Sequence, residues 1–234
     1  MKKHKQKQLG YILAVAIGSS AAMANAAMTV DLVNTLGETG LQNGEFSFAA
    51  GDTNASLAAQ FSTGSLCPMG CTLGDVTLFM LADDPSNTGQ GPATAGNYLV
   101  EIFDNNSGTG RPGTSIATMS NPQSIIADEA ENVFTAPAAP VTLADDTEYW
   151  LKFTSTGSGE DVSWLFPTGT NLTTGNWILN TAFGEVIGDG TNGTNAPPLM
   201  KVQAVSTIPI PSSFILLGSA LIGLITSTKR RKIA

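Results

Sequence analysis

From Glu148 to Phe166 two runs alternate apolar and polar side chains at a period of two, a pattern that an extended strand turns into one buried face. Tyr149, Leu151 and Phe153 fall on one side, and Trp150, Lys152 and Thr154 on the other. Val162, Trp164 and Phe166 repeat the pattern after Gly157-Ser158-Gly159, which predicts a β-hairpin with Trp164 in the core. Short runs rich in Val, Ile, Phe and Thr recur between clusters of Gly, Asn, Asp and Pro. The predicted strands are 28–33, 57–62, 76–82, 98–103, 115–119, 132–135, 148–154, 162–166, 177–180 and 199–205. Residues 57–61 would also suit a short helix, and 184–198 has the composition of a long polar loop. No helical period is sustained elsewhere in this stretch, and its glycines and prolines oppose one. The expected fold is all-β, a single antiparallel β-sandwich of jelly-roll-like form.

The two ends obey different rules. Lys2, Lys3, Lys5 and Lys7 make a positive start, Leu9 to Ile17 is apolar, and Ala24-Asn25-Ala26 has the form of a leader cleavage site. Residues 1–26 are therefore expected to be a signal peptide removed ahead of Ala27. At the other end, Phe214 to Ile225 carries no charge and is followed by Lys229, Arg230, Arg231 and Lys232. A helix over 214–225 would rise only about 18 Å, short of the ~30 Å hydrocarbon core. Taken from Ile208 to Ser227, the uncharged stretch reaches a marginal spanning length. The basic cluster would hold the C-terminus on the cytoplasmic side and the body outside.

Ahead of that short hydrophobic helix stands Ile208-Pro209-Ile210-Pro211-Ser212-Ser213. The order Pro209-x-Pro211-Ser212-Ser213, a glycine-containing apolar helix and a terminal Lys/Arg cluster resembles the PEP-CTERM sorting tail, over residues 207–234. Ile210 stands where the family name implies Glu. The resemblance implies a Gram-negative host and an exosortase-like processing enzyme as partner, which removes the tail and releases or re-attaches the protein at the cell surface. An ordinary short membrane anchor is the plainer reading of the same residues.

Removing both ends leaves residues 27–206 as one domain, and the charge balance changes with the cut. All nineteen acidic residues lie between Asp31 and Asp189, against Arg111, Lys152 and Lys201 as the basic ones, a balance of 3 − 19 = −16. Such a surface repels nucleic acid, which is set aside as a partner. The sole histidine, His4, lies in the leader. The body therefore has no imidazole for Ser-His-Asp or Cys-His catalysis or for His-bound zinc. Cys67 and Cys71 are the only cysteines. In an exported chain they are expected to form a disulfide closing a tight loop, and a metal site would need further ligands that the body lacks.

The middle of the body carries a second resemblance. Tyr98 to Ser120 runs as a strand, Asp-Asn-Asn-Ser-Gly-Thr-Gly, Arg111-Pro112-Gly113, then Ser115-Ile116-Ala117; later come Val133-Phe134-Thr135-Ala136 and Val141 to Leu151. This order is similar to the choice-of-anchor domains, the R type in particular, over about Leu57 to Phe166. It implies a β-sandwich ectodomain joined to a surface-anchoring tail, with no catalytic residues to carry over.

Few residues suggest chemistry. Asp83-Asp84 and Asp145-Asp146 offer oxygen donors to Ca²⁺, but Asp is equally a turn former, and the turn role is favoured. Asp104-Asn105-Asn106-Ser107-Gly108 has its glycine at the fifth position of a calcium-type loop rather than the sixth, with Ser115 in place of the closing Glu. No cofactor is expected. Trp150, on the predicted outer face, is the candidate for stacking on a sugar, although covering a sheet edge is its plainer role. The sequence thus describes a non-enzymatic surface or matrix protein, either structural or binding surface components such as exopolysaccharide. A carboxylate-dependent glycan hydrolase is the alternative, since that chemistry needs no histidine.

Overall fold

The β-patterned segments assemble into two layers of antiparallel strands in the computed structural model. It describes residues 25–37, 45–48, 55–83, 93–94, 98–121, 124–125, 130–156, 161–167, 175–181, 184–188 and 196–209. The strands of the first half are β1 (Asn25–Asn34), β2 (Glu45–Phe48), β3 (Ser56–Ser62), β4 (Cys71–Asp83), β5 (Ala93–Thr94), β6 (Tyr98–Asn106) and β7 (Arg111–Thr118). Those of the second half are β8 (Ser124–Ile125), β9 (Ala130–Phe134), β10 (Thr142–Leu143), β11 (Glu148–Ser155), β12 (Asp161–Leu165), β13 (Trp177–Thr181), β14 (Gly184–Gly188) and β15 (Met200–Pro209). Residues 57–61 are strand rather than helix, because Leu57, Ala59 and Phe61 all reach the core at a period of two.

One layer is a seven-stranded sheet in the order β1-β15-β4-β12-β2, with β9 and β10 also paired to β4. The other is a six-stranded sheet in the order β14-β13-β3-β11-β6-β7, and β5 with β8 makes a separate two-stranded ribbon. The long β4 takes β10 at Cys71–Thr72, β9 at Val76–Met80 and β12 at Met80–Asp83. β15 pairs with β4 and is flanked on its other side by β1. At that seam Thr35 is fully buried, its Oγ1 accepting the Met200 N–H at 2.8 Å while its own N–H donates to the Met200 carbonyl at 2.9 Å.

The core fills the space between the layers. Leu57, Leu78, Val100, Ile102, Leu151 and Phe153 are wholly buried there. Aromatic rings join the two sheets: Phe153 of β11 stacks on Tyr98 at 5.4 Å and meets Trp164 of β12 at 6.4 Å. Full burial of one such side chain stabilises by about 1.5–3 kcal/mol. Trp164 satisfies its one polar atom inside the core, donating Nε1–H to the Leu199 carbonyl at 2.9 Å.

Two expectations are corrected. The segment 148–166 is not a hairpin: β11 pairs with β3 and β6 in the six-stranded sheet, whereas β12 pairs with β2 and β4 in the other. Alternation sets which face is buried, and both segments bury one face against the same core from opposite sides. The stretch 184–198 is not all loop, because β14 pairs with β13 along its length. There the Trp177 indole lies over Gly188, where any side chain would collide with the ring, a cross-strand fit available only to glycine.

Cys67 and Cys71 form the expected disulfide, with Cα atoms 5.3 Å apart. Both cysteines are buried at the end of the core. Gly70 closes the loop in the left-handed region (φ 76°), its N–H donating to the Cys67 carbonyl at 2.8 Å. A Cβ there would also meet the Leu143 carbonyl at 3.0 Å, so the loop sits directly against β10. The following Asp145-Asp146 pair is a turn, with Asp146 at φ 44°. Thr63 Oγ1 pins that turn by donating to the Ala144 carbonyl at 2.8 Å and accepting the Thr147 N–H at 2.9 Å. Tyr149 Oη accepts the Ala144 N–H at 2.8 Å, five residues upstream, in the manner of the tyrosine corners of β-sandwiches.

Candidate functional site

Residues opposite one another in an antiparallel ladder share a face. On the outer face of the six-stranded sheet, one cross-strand row reads Ile187, Ile178, Ala58, Lys152 and Glu101. The row on one side of it reads Glu185, Asn180, Ser56, Thr154 and Leu99. On the other side lie Gln60, Trp150 and Phe103. Trp150, Ala58 and Ile178 form a small second hydrophobic cluster here, with Phe103 packed against it.

The end of the β6–β7 hairpin folds across these rows. The register slips at Ile102/Phe103 and again at Phe103/Asn105, as bulges do where a ribbon bends. The bend is held from within, since Asp104 Oδ1 accepts the Thr114 N–H at 2.5 Å and Asn106 Oδ1 the Gly108 N–H at 3.1 Å. Beyond the bend, Arg111 of β7 reaches Glu185 of β14, its Nη2 lying 2.7 Å from Oε1 and its Nη1 donating to Oε2 at 2.9 Å. β7 and β14 are the two edge strands of the six-stranded sheet, so this bidentate pair spans the whole outer face.

Beneath the hairpin is a cavity of about 170 Å³. Its floor is Ala58 and Ile178, and Pro112 is part of its cover. Its polar lining is Ser56, Asn180, Lys152 and the Arg111–Glu185 pair. Lys152 Nζ lies 5.5 Å from the centroid of the Phe103 ring, a cation–π distance. Of the three basic residues between 27 and 206, two therefore meet at this one cavity.

A second, larger pocket of about 390 Å³ opens at the rim, lined by Leu32 and Val33 of β1 and by Gln60, Ser62, Glu148 and Asn176. Its polar side chains form a chain that continues under the hairpin. Asn176 Nδ2 donates to Gln60 Oε1 at 2.6 Å, and Gln60 Nε2 to Glu148 Oε2 at 3.0 Å. Glu148 Oε2 also accepts Asn105 Nδ2 at 2.8 Å, and Asn105 Oδ1 accepts Trp150 Nε1 at 3.0 Å. Four strands or their approaches thus contribute to one hydrogen-bonded strip.

Trp150 does lie on the face away from the main core, but its side chain is only 1% exposed. The ring is covered and holds Asn105; it is not an open stacking platform. Asp104, Asn105 and Asn106 are committed to the hairpin bend and to Trp150, which accounts for the superficial calcium-loop spelling. Among the described residues no group of three or more Asp, Glu, His or Cys side chains could hold a metal ion. Ala26 and Ala27 fall at the start of β1 and Pro209 at the end of β15. Ala24, Pro211, Ser212, Ser213, the apolar segment 214–225 and Lys229, Arg230, Arg231 and Lys232 lie outside the described residues. No helix among the described residues is long and apolar enough to cross a membrane.

Sequence reasoning did not name Gln60, Arg111, Glu148, Lys152, Asn176 or Glu185 as a site, and weighed Asn105 only as part of a calcium-type loop. The one available signal was scarcity: Arg111 and Lys152 stand out in a body so acidic. Compared with protein-family models, curated proteins and solved structures, the chain matches none.

Proposed function

We propose that the chain is an exported, non-enzymatic surface or matrix protein that binds glycan through the outer face of its six-stranded sheet. The observation that carries this reading is the strip from Asn176 through Gln60, Glu148 and Asn105 to Trp150, set between two pockets. Fixed amides and carboxylates over an apolar floor suit a polyol, whose hydroxyls both donate and accept and whose C–H face is apolar. A retaining or inverting hydrolase needs two carboxyl groups facing one bond. The larger pocket brings Glu148 and the smaller one brings Glu185, which is already paired.

Export and surface placement rest on the three-zone leader and on the Pro209-x-Pro211-Ser212-Ser213 tail with its basic end. The same reading includes a jelly-roll-like wrap of the chain and a short apolar helix over 214–225. Successive strands change sheets repeatedly, as β3, β4, β6 and β11, β12, β13 do, which supports the wrap. A glycan array probed with the full chain tests the binding: a set of bound glycans is expected, and a blank array overturns it. Mass spectrometry of the protein from its host tests the tail. A C-terminus near Pro209 to Ser213 supports sorting by an exosortase-like enzyme, and an intact Ala234 overturns it in favour of a plain anchor.

A further inference from the structure

We infer that the smaller cavity is a subsite for one carboxylate-bearing sugar ring, such as a single uronic acid unit within an otherwise neutral glycan. This deepens the glycan reading above and rests on it. The first observation is the concentration of charge. In a stretch with nineteen acidic and three basic residues, Arg111 and Lys152 line the same cavity of about 170 Å³. So small a cavity suits a single ring rather than a longer segment.

The second observation is what Lys152 does not do. Glu101 stands directly opposite it on the same face, the position from which a cross-strand ion pair is made. Glu101 instead accepts the Ser115 hydroxyl at 2.8 Å, and Lys152 rests over Phe103. Among the described residues Arg111–Glu185 is the only ion pair, so the Lys152 ammonium has no carboxylate partner there. A cation left unpaired on so acidic a body is a place kept for an incoming anion. The ring of Phe103 orients it without neutralising it.

The third observation is the remaining lining. The Arg111 guanidinium has five N–H donors and directs two at Glu185, which leaves three for a ligand. Ser56 and Asn180 supply a hydroxyl and an amide for ring hydroxyls, while Ala58, Pro112 and Ile178 face the C–H side of a ring. A carboxylate entering beside Lys152 makes charge-assisted hydrogen bonds that a neutral sugar cannot make.

The experiment is a calorimetric titration of the full chain with an oligosaccharide carrying a single uronate unit, its methyl ester, its neutral hexose counterpart and sodium sulfate. The uronate is expected to bind about tenfold or more tightly than ester or neutral sugar. Lys152→Gln should lose about tenfold. Lys152→Arg should retain most of the binding, and Lys201→Gln, on the other sheet, should change nothing. Far-UV dichroism of each variant shows that it is folded. Equal binding of charged and neutral sugars, or a folded Lys152→Gln that binds like the parent, overturns the subsite and leaves the glycan reading standing. Sulfate bound as tightly as the uronate overturns the assignment to a sugar acid. Binding of no glycan of either kind overturns both.

Discussion

The two faces of β11 lie one residue apart and are built on opposite principles. Tyr149, Leu151 and Phe153 enter the main core and are held by contact with other rings and aliphatic side chains, with the Tyr149 hydroxyl alone bonded, to the Ala144 N–H. Trp150 and Lys152, on the other face, are nearly as enclosed in part, yet each has a specific polar or cationic engagement, with Asn105 and with the Phe103 ring. The inner face gains stability from area removed from water, which is non-directional. The outer face also removes Trp150 from water, and in addition it fixes directions, which is what recognition of a polar ligand needs. Burial alone therefore does not separate a structural tryptophan from one that belongs to a site.

That contrast is broken most severely from the inside. Phe153→Ala, which removes a wholly buried ring touching Tyr98 and Trp164, should cost about 3–5 kcal/mol in urea unfolding. A cost below 1 kcal/mol would show that the inter-sheet core is not packed as described. Replacing both Cys67 and Cys71 by Ser should cost about 2 kcal/mol, since so short a loop restrains the unfolded chain only modestly. A melt of the oxidised and reduced protein reads the same effect, and identical melts would refute it.

On the outer face the effects should be smaller and more local. Asn105→Ala leaves the Trp150 N–H buried without its acceptor and should cost about 1–2 kcal/mol. Indole fluorescence should shift together with stability, and an unchanged spectrum would mean that the hairpin does not cover the ring. Arg111→Gln should cost under about 1 kcal/mol, because the pair is 45% and 29% exposed and screened by water and salt. If its cost rivals that of Asn105→Ala, the hairpin is held chiefly by charge and the strip of amides is secondary.

Much of the sandwich was legible because alternation survives wherever one face is buried. β3, β6, β11, β12, β13 and β15 stand close to where their residues predict them. β4 begins at Cys71 rather than at 76 because Gly74-Asp75 interrupts the pattern just where its register with β15 slips. β14 escaped notice because Val186 and Ile187 are exposed at an edge, so no burial period marks them. The false hairpin at 148–166 has a different cause: periodicity reports faces, and partners are chosen by topology. The site was the least legible part. Arg111 is 41 residues from Lys152 and 74 from Glu185 in the chain, and only the folded-over hairpin brings them to one cavity. The outer placement of Trp150 could be read from its neighbours, but its cover could not.

The place of β15 has a mechanical consequence. This strand ends the described chain at Pro209 and lies between β1 and β4 rather than at an edge. A tether pulling on the chain beyond Pro209 would load these ladders along the strand, where many hydrogen bonds share the force, instead of peeling them open one at a time. Thr35, clasping Met200 at the far end of the strand, adds a further grip against such a pull.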